Sequence, residues 1–502
     1  MTPTPDRRPA GFALFLAMLL AAAPALPQQA TEGGRSAYAS LPDLGSSANA
    51  LIDRQTEYQI GRMMMRDLRR ENLVLDDPES TEYLNVLGSR IGAEAQEGEH
   101  KLTYFVVRDR AVNAFAIPGG FIGTNVGLIL LTEHEAELAG VLAHETGHVV
   151  QRHIARSVEA QGRNSITTIA AILGAVLVGA ITGSADAVPG LIALAQGAAM
   201  QQSINFTRME EHEADRVGIG YLAAAGFDPN GMAEFFGTMM RERGVANDVI
   251  PPLLLSHPVD SVRIAEARAR IASMPPVVAK PDSASYTLIR ERLRVISAPS
   301  DGDLRAYYEK KLMEDGALLA NHYGAALAEI RWGKPQVAAG WLKELVELNP
   351  GVIVLQSALA QAQLASGEKA AAMATFEKGL ALSPRNVPLT VRFAEALLQD
   401  DKPKKAHAIL LDLFNNATPT PEQIRLTALA ASGAGDIGDA YYYMSEYHIA
   451  NGDLMVANTQ LDLALASPEI SDVQRKRFLA RREEIRDVLR EQRGGRPKAQ
   501  PY

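Results

Sequence analysis

Along most of the chain, apolar and polar residues follow one another at helical spacing, and one stretch changes to the shorter period of a strand. Residues 53–70 carry apolar side chains among charges, which predicts an amphipathic helix. Asp77-Pro78 predicts the start of a second helix, because aspartate caps helix N-termini and proline fits the first turn. The pattern therefore predicts a mainly α-helical chain with a small β-sheet.

The stretch that departs from helical spacing is 102–131. Residues 102–107 are rich in β-branched and aromatic side chains, which predicts a strand. Residues 113–117 precede Pro118-Gly119-Gly120, which predicts a hairpin whose first strand lies at a sheet edge. An exposed edge can bind a peptide as an added strand, although a purely structural hairpin is the alternative. The candidate substrate-binding residues are Asn113, Ala114, Phe115 and Ala116.

Length, charge and cysteine content limit the possible functions. A chain of 502 residues is long enough for two or three domains. The net charge of −9 is the opposite of what nucleic-acid binding requires. The absence of cysteine excludes a thiol protease, a disulfide and a thiolate zinc site.

The N-terminal segment has the pattern of an export signal. Arg7 and Arg8 precede an apolar run over 11–23, and Ala23-Pro24-Ala25 is a small-residue cleavage site. We expect a cleaved signal peptide over 1–25, with a non-cleaved anchor as the alternative. In a bacterium, export of the remainder predicts a periplasmic protein, with peripheral contact to a membrane as an option.

Residues 164–206 are unusually apolar, with Asp186 as their one charged residue. A mobile apolar flap near the active site, able to touch a membrane surface or an unfolded client, is the favoured interpretation. A buried helix pair and a two-span membrane hairpin are alternatives. A single span is excluded if His148 and Glu211 bind the same metal, because it would place them on opposite sides of the bilayer.

The strongest chemical pattern is His144-Glu145-x-x-His148. On a helix, residues four apart share a face, so the two imidazoles converge in a way that suits Zn²⁺. Glu145 can then act as general base toward the attacking water. A helix with two incidental histidines is the alternative. A third ligand is expected from the acidic residues Glu210, Glu211 and Glu213.

These residues resemble the zinc endopeptidases that include the CaaX prenyl protease and the heat-shock protease HtpX. Their R-x-x-E-x-x-A-D motif matches Arg208, Glu211, Ala214 and Asp215, while Thr207 departs from the usual serine or asparagine. The resemblance implies that Glu211 is the third zinc ligand. Because Asp215 lies four residues later on the same face, it can accept a ligand histidine's N–H. We expect Glu210 and Glu213 to form a solvated face instead.

The His257-Pro258 pair followed by Arg263 also resembles this family. The resemblance implies that His257 and Arg263 lie at the cleft and stabilise the oxyanion of the tetrahedral intermediate, a place where donors are needed. Two other roles for His257 stay open, a latch on the open position of zinc and a simple loop residue. His153, five residues after His148, is expected to be structural or on the surface.

The C-terminal part is repetitive. Pro350 and Pro384 lie 34 residues apart, a period typical of tetratricopeptide (TPR) helix pairs. Residues 418–435 depart from the period and are expected to be irregular, 435–468 to form a fourth unit, and 471–493 to cap the array. Such a solenoid offers a concave face to peptides or partner proteins. Small residues recur at Ala326, Ala338, Ala360, Ala372, Ala394 and Ala406, and large ones at Leu342, Phe376 and Leu410.

The predicted fold is a gluzincin-like α+β metallopeptidase domain followed by an α-solenoid. Its order resembles that of the bacterial β-barrel assembly-enhancing proteases. That resemblance implies cleavage of misfolded or stalled outer-membrane proteins, with the repeats docking clients or the assembly machinery. A chaperone or adaptor with latent protease activity is the alternative, and an integral-membrane prenyl-type protease would need further spans. The predicted segments are 1–25 signal peptide, 26–50 lead-in, 51–275 peptidase, 276–315 linker and connecting helices, 316–493 repeats and 494–502 tail.

Overall fold

The structure of the protein is a computed structural model that describes the ranges 53–95, 102–160, 208–245, 251–278, 280–314 and 318–494. The predicted signal peptide, lead-in and apolar flap (164–206), and the tail beyond Gly494, lie outside the described residues. Within those ranges, no helix combines the length and the apolar sequence that crossing a membrane requires.

The first part of the described chain contains helices around a small sheet, as predicted. Asp53 and Asp77 cap α1 and α2, each accepting a hydrogen bond from the backbone N–H three residues later. Both predicted helix starts are therefore confirmed. In chain order the elements are α1 (Arg54–Arg70), α2 (Pro78–Glu94), β1 (Thr103–Val107), β2 (Ala114–Ile117), β3 (Phe121–Asn125), α3 (Val126–Leu131), α4 (Glu135–Val150), α5 (His153–Ala160), α6 (Arg208–Ala224), α7 (Asn230–Val245), α8 (Pro252–Ser256) and α9 (Ser261–Ala272).

The sheet has the strand order β1-β3-β2. β1 runs parallel to β3, and β2 runs antiparallel to β3 with Ile117 opposite Phe121. In the turn between β2 and β3, Gly119 and Gly120 have φ values of 81° and 89°, a conformation that side chains disfavour. The predicted hairpin is confirmed, and β2 lies at an edge of the described sheet.

Helix α4 is the centre of this part, and every residue from Glu137 to His148 is buried. A Cβ atom on Gly147 would lie 3.0 Å from the Ala214 carbonyl oxygen of α6, and one on Gly218 would lie 3.0 Å from the Ala143 carbonyl oxygen of α4. Both distances are tighter than ordinary contacts, and backbone atoms cannot rotate away. The two glycines therefore allow α4 and α6 to pack backbone against backbone.

The C-terminal part is a series of helix pairs. Two connecting helices, α10 (Ala284–Ser297) and α11 (Asp301–Glu314), precede it. All the small and large residues predicted to recur at the 34-residue period are buried, which confirms the helical repeats. The three pairs with this period are α12 (Leu319–Arg331) and α13 (Pro335–Leu348), α14 (Ile353–Ala365) and α15 (Lys369–Leu382), and α16 (Val387–Gln399) and α17 (Pro403–Phe414).

The prediction that 418–435 is irregular was wrong, because this segment contains helix α18 (Pro421–Ala434). Thr420 and Gln423 form a capping box at its start, and Gly435 ends it in the left-handed conformation with φ 86°. Small residues Ala430 and Ala431 are fully buried. Helix formation here depends on capping residues and packing, which the 34-residue sequence period does not reveal.

The end of the array follows the prediction. Helices α19 (Ile437–Ala450) and α20 (Leu454–Ala466) occupy the expected fourth unit, and α21 (Asp472–Gly494) follows them. Phe478 of α21 is fully buried, and Arg481 donates to both carboxylate oxygens of Glu446 at 2.7 and 2.9 Å. The predicted capping helix is therefore present.

A buried charged cluster joins α2 to the repeats. Arg292 of α10 donates to both carboxylate oxygens of Asp77 and lies 3.0 Å from Glu79. Arg392 of α16 reaches both acids at 2.9 Å, and the Ser357 hydroxyl of α14 donates to Glu79 at 2.8 Å. Burial alone would raise the pKa of Asp77, but the charges and hydrogen bonds of Arg292 and Arg392 outweigh burial and hold this pKa well below its usual value.

Replacing Arg292 tests this cluster. We expect Arg292→Met to lower the free energy of unfolding by about 3–5 kcal/mol, because it leaves two buried carboxylates with one cation. Urea denaturation followed by circular dichroism measures the change. Arg385→Met, which removes an exposed ion pair with Asp412, is the control and should leave stability unchanged. Equal effects of the two substitutions would contradict the prediction.

The same cluster predicts acid sensitivity. The folded-state pKa of Asp77 lies below its unfolded value of about 3.9, so its contribution to stability is complete above that pH and is lost as the pH falls further. Asp77→Asn keeps a good helix cap but removes the charge. We expect its unfolding free energy to change less than that of the wild type between about pH 5 and about pH 3. The exposed Glu344→Gln is the control, and identical pH dependence in all three proteins would refute the prediction.

Candidate metal centre

Four side chains from three places in the fold face one another. His144 and His148 lie one turn apart on α4, Glu211 lies in the first turn of α6, and His257 follows α8. One nitrogen or oxygen atom from each lies within 4.8 Å of the other three, and all four residues are buried. The two Nε2 atoms of His144 and His148 are 3.0 Å apart, and His257 Nδ1 is 2.9 Å from Glu211 Oε1.

The protonation of His148 and Glu211 suits a metal ion. Burial lowers the pKa of His148 well below its usual value, so its imidazole is neutral at pH 7. Burial alone would raise the pKa of Glu211, but His257 and His148 outweigh burial and hold this pKa well below its usual value. Neutral imidazole and ionised carboxylate are the forms that bind metals. The donor set therefore fits a metal ion.

Glu145 lies beside this group. The residue is fully buried, and neither carboxylate oxygen has a hydrogen-bond partner among the residues that the structure describes. Its Oε1 lies 3.5 Å from His257 Nε2, a long distance for an ion pair. Leaving a buried carboxylate without hydrogen bonds is costly, and such groups in native proteins call for a functional explanation.

Asp215 and Arg263 support the group from behind. His144 Nδ1 lies 2.9 Å from Asp215 Oδ1, so the other ring nitrogen of His144 faces Glu211 and His148. Arg263 donates two hydrogen bonds of 2.8 Å to Asp215 and lies 2.8 Å from Glu211 Oε2. Burial alone would raise the pKa of Asp215, but the hydrogen bonds from His144 and Arg263 lower it overall.

Arg263 is buried beside the metal group. Only 3% of the residue is exposed, and its Nη1 also donates to the Pro258 carbonyl oxygen at 2.7 Å. The guanidinium packs over the Phe236 ring, 4.9 Å from its centroid. Its donors are directed at Asp215, Glu211 and the backbone.

His153 contacts the site, although the sequence placed it on a different face from His148. Its Nδ1 is 2.7 Å from the Nδ1 of His148, and its Nε2 is 3.3 Å from Glu213 Oε2. Arg152 has a φ of 53°, which ends α4 and lets α5 start at His153 in a new direction. No glycine or proline marks this break, so helical spacing alone could not find the contact.

Glu210 and Glu213 do not form the solvated face that was expected, and His153 does not lie on the surface. His153 is fully buried, which leaves the structural alternative. The side chain of Glu213 is 11% exposed and pairs with Arg156 at 3.0 Å. Glu210 is also buried and lies 3.5 Å from the Ser157 hydroxyl. Helix α5 packs over the face of α6 that would otherwise meet solvent.

The candidate substrate residues lie in and just before β2. Asn113 and Ala114 are buried, and the Phe115 ring packs edge-on against Phe105 with centroids 6.0 Å apart. Ala116, on the opposite face from Phe115, is partly exposed. Within the described residues, the Asn113 side-chain oxygen has no hydrogen-bond partner. Binding of substrate along this strand stays a prediction.

Known proteins resemble the chain over almost its whole length. The model of peptidase family M48 matches residues 78–271, which include every group of the site. A putative β-barrel assembly-enhancing protease of Vibrio cholerae is 39% identical over 67% of this chain and 68% of its own length. The β-barrel assembly-enhancing proteases of Yersinia pestis and Escherichia coli K12 are 30% and 29% identical, over 94% and 89% of this chain and 97% and 92% of their own. The chain thus belongs to the β-barrel assembly-enhancing protease family of M48 metallopeptidases.

Proposed function

We propose that the protein is a periplasmic zinc endopeptidase that cleaves misfolded or stalled outer-membrane proteins. The buried group of His144, His148 and Glu211 carries this proposal, with Glu145 beside it making no carboxylate hydrogen bond to a described residue. Two imidazoles and a carboxylate form a ligand set that suits catalytic zinc. When bound, zinc would polarise the scissile carbonyl and lower the pKa of the attacking water.

The chain's own residues divide the remaining work. His144, His148 and Glu211 hold the metal. Glu145 accepts the proton of the attacking water and returns it to the leaving amine, since no described residue hydrogen-bonds to its carboxylate oxygens. Asp215 keeps the His144 ring in place through the 2.9 Å contact to Nδ1. Peptide substrate adds as a strand along residues 113–116, which the edge position of β2 supports.

Arg263 acts as a positioning residue rather than as the oxyanion donor that the family resemblance implied. Its guanidinium holds Asp215 and Glu211 at 2.8 Å each. Because Asp215 in turn contacts His144, one arginine fixes two groups of the metal site. The direction of its donors toward Asp215, Glu211 and the Pro258 carbonyl supports this role.

His257 is a fourth ligand that keeps the enzyme latent. Its Nδ1 lies 2.9 Å from Glu211 and 3.4 Å from His144 Nε2, among the metal-binding atoms. Its Nε2 lies 3.5 Å from Glu145. A catalytic zinc site needs one position free of protein ligands. His257 would occupy that position on a bound metal, and movement of the loop after α8 would then have to precede cleavage.

The relatives and the domain order support the proposed client and compartment. Relatives named for β-barrel assembly support outer-membrane proteins as clients. The export pattern of residues 1–25 supports the periplasm. The helical repeats supply a surface for docking the client or the assembly machinery.

The substitution Glu145→Gln tests proteolysis. We expect it to abolish casein cleavage while zinc content stays at one per chain, because the amide cannot accept the proton. A chelator should abolish wild-type cleavage, and added zinc should restore it. The exposed Glu133→Gln, also a glutamate-to-glutamine change, is the control. Equal cleavage by Glu145→Gln and wild type would exclude this mechanism.

The substitution His257→Ala tests the latch. We expect cleavage to increase at least several-fold with zinc retained, because removal of the fourth ligand opens the metal to substrate. The exposed His134→Ala, which breaks an ion pair with Asp282, should leave the rate unchanged. Loss of cleavage with zinc retained would instead assign His257 to the catalytic apparatus.

The chaperone or adaptor alternative makes a different demand on the same variants. If the repeats alone supply the function, Glu145→Gln should rescue outer-membrane assembly in a strain that lacks the protein. Failure of Glu145→Gln to rescue, at wild-type protein levels, would support proteolysis as the function.

A further inference from the structure

We propose that His153 and Glu213 are positioning residues that hold the ligand His148 in the tautomer needed to bind zinc. The proposal rests on the proposed zinc site. It assigns to that site two residues that the H-E-x-x-H and R-x-x-E-x-x-A-D motifs do not specify. Both residues lie behind His148, on the opposite side of its ring from His144 and Glu211.

The contacts form a continuous series from the metal group to Glu213. His148 Nε2 faces the metal group, 3.0 Å from His144 Nε2 and 3.4 Å from Glu211 Oε1. Its other nitrogen, Nδ1, is 2.7 Å from His153 Nδ1. His153 Nε2 is then 3.3 Å from Glu213 Oε2. The side chains of His148 and His153 are both fully buried, so water does not replace these partners.

The Glu213 carboxylate favours one direction of hydrogen bonding along this series of contacts. Two Nδ1 atoms at 2.7 Å require that one donates and the other accepts. The Glu213 carboxylate is an acceptor, so it selects the His153 tautomer with the proton on Nε2. The bare Nδ1 of His153 then accepts from the Nδ1–H of His148. His148 is left with a lone pair on Nε2, which is the atom that faces the metal group.

The opposite arrangement would disable the site. If His153 carried its proton on Nδ1, His148 Nδ1 would have to accept it, and the neutral His148 ring would carry its proton on Nε2. A protonated nitrogen has no lone pair for a metal. Glu213 therefore prevents a tautomer that would compete with metal binding.

A cation holds Glu213, the last residue in this series of contacts. Arg156 of α5 donates to the same Oε2 atom of Glu213 at 3.0 Å. Because Arg156 and His153 both contact this one oxygen, the Glu213 carboxylate is held in place beside the His153 ring. The histidine ligands are thus held differently, His144 by the carboxylate of Asp215 and His148 by a carboxylate acting through an imidazole.

The zinc affinity of the full-length protein tests whether Glu213 acts on His148 through His153. We expect His153→Phe, which keeps a ring of similar size but has no acceptor, to weaken zinc binding by about 10- to 100-fold in a competition assay with a chromogenic chelator. His153→Asn places an amide oxygen near the position of Nδ1 and should recover most of the affinity. Glu213→Ala should weaken binding, and Glu213→Gln, which keeps an acceptor oxygen, should weaken it less. Glu266→Ala, which removes the partner of the partly exposed His212 on α6, is the control and should match the wild type.

Two further readouts separate positioning from folding. The melting temperature of each metal-free variant reports fold stability, and the visible absorption of the cobalt-substituted protein reports ligand geometry. We expect His153→Phe to change the cobalt spectrum while His153→Asn keeps it. If His153→Phe fails to fold, the two Glu213 variants test the same chain without changing the ring.

The outcomes distinguish this inference from the proposed function. A wild type that binds one zinc, together with a His144→Ala variant that does not, supports the metal site itself. Given that result, a wild-type zinc affinity and cobalt spectrum in His153→Phe and Glu213→Ala would overturn the positioning role of His153 and Glu213. A His153→Asn variant as weak as His153→Phe would also overturn it, because the acceptor would then be irrelevant. A wild type without zinc would overturn both.

Discussion

The close packing of α4 against α6 is the constraint on which the site depends. Gly147 and Gly218 leave no side chain between the two helix backbones, so Glu211 of α6 comes within reach of His144 and His148 of α4. Side chains of ordinary size at the glycine positions would separate the helices, and a carboxylate is too short to span the added distance. The metal group is therefore set by backbone contact, before any ligand chemistry applies.

That packing, together with α5, covers three carboxylates of α6, and charges away from water are tolerated only when paired. Glu211, Glu213 and Asp215 lie at alternate positions of α6, and each finds a partner on another helix. Arg263 reaches Glu211 and Asp215, while Arg156 reaches Glu213. Each acid is also near a histidine, so the charges that stabilise the helix also orient the imidazoles. Stability and metal binding are therefore properties of the same contacts.

Features that depend on fixed spacing could be predicted from the sequence. The pair His144 and His148, the hairpin at residues 118–120 and the 34-residue repeat all follow from local geometry. The contact of His153 with His148 could not be predicted, because it depends on the left-handed backbone of Arg152, a residue type that does not favour that conformation. Helix α18 was missed because a fixed period ignores capping residues. The contacts of Arg263 with Asp215 and Glu211 could not be predicted, because motifs identify residues but not the direction of their side chains.

Asp77 has a consequence for how such a chain can evolve. The residue caps α2 and also accepts from Arg292 and Arg392, so a helix start in the peptidase part is neutralised by cations from the connecting helix and the repeats. A gene fusion that joined this peptidase to another binding module would leave Asp77 and Glu79 without those cations. A working exchange of modules therefore requires that both arginines, or equivalents at the same places, come with the new partner. Inheritance of the two parts as one unit is the simpler route.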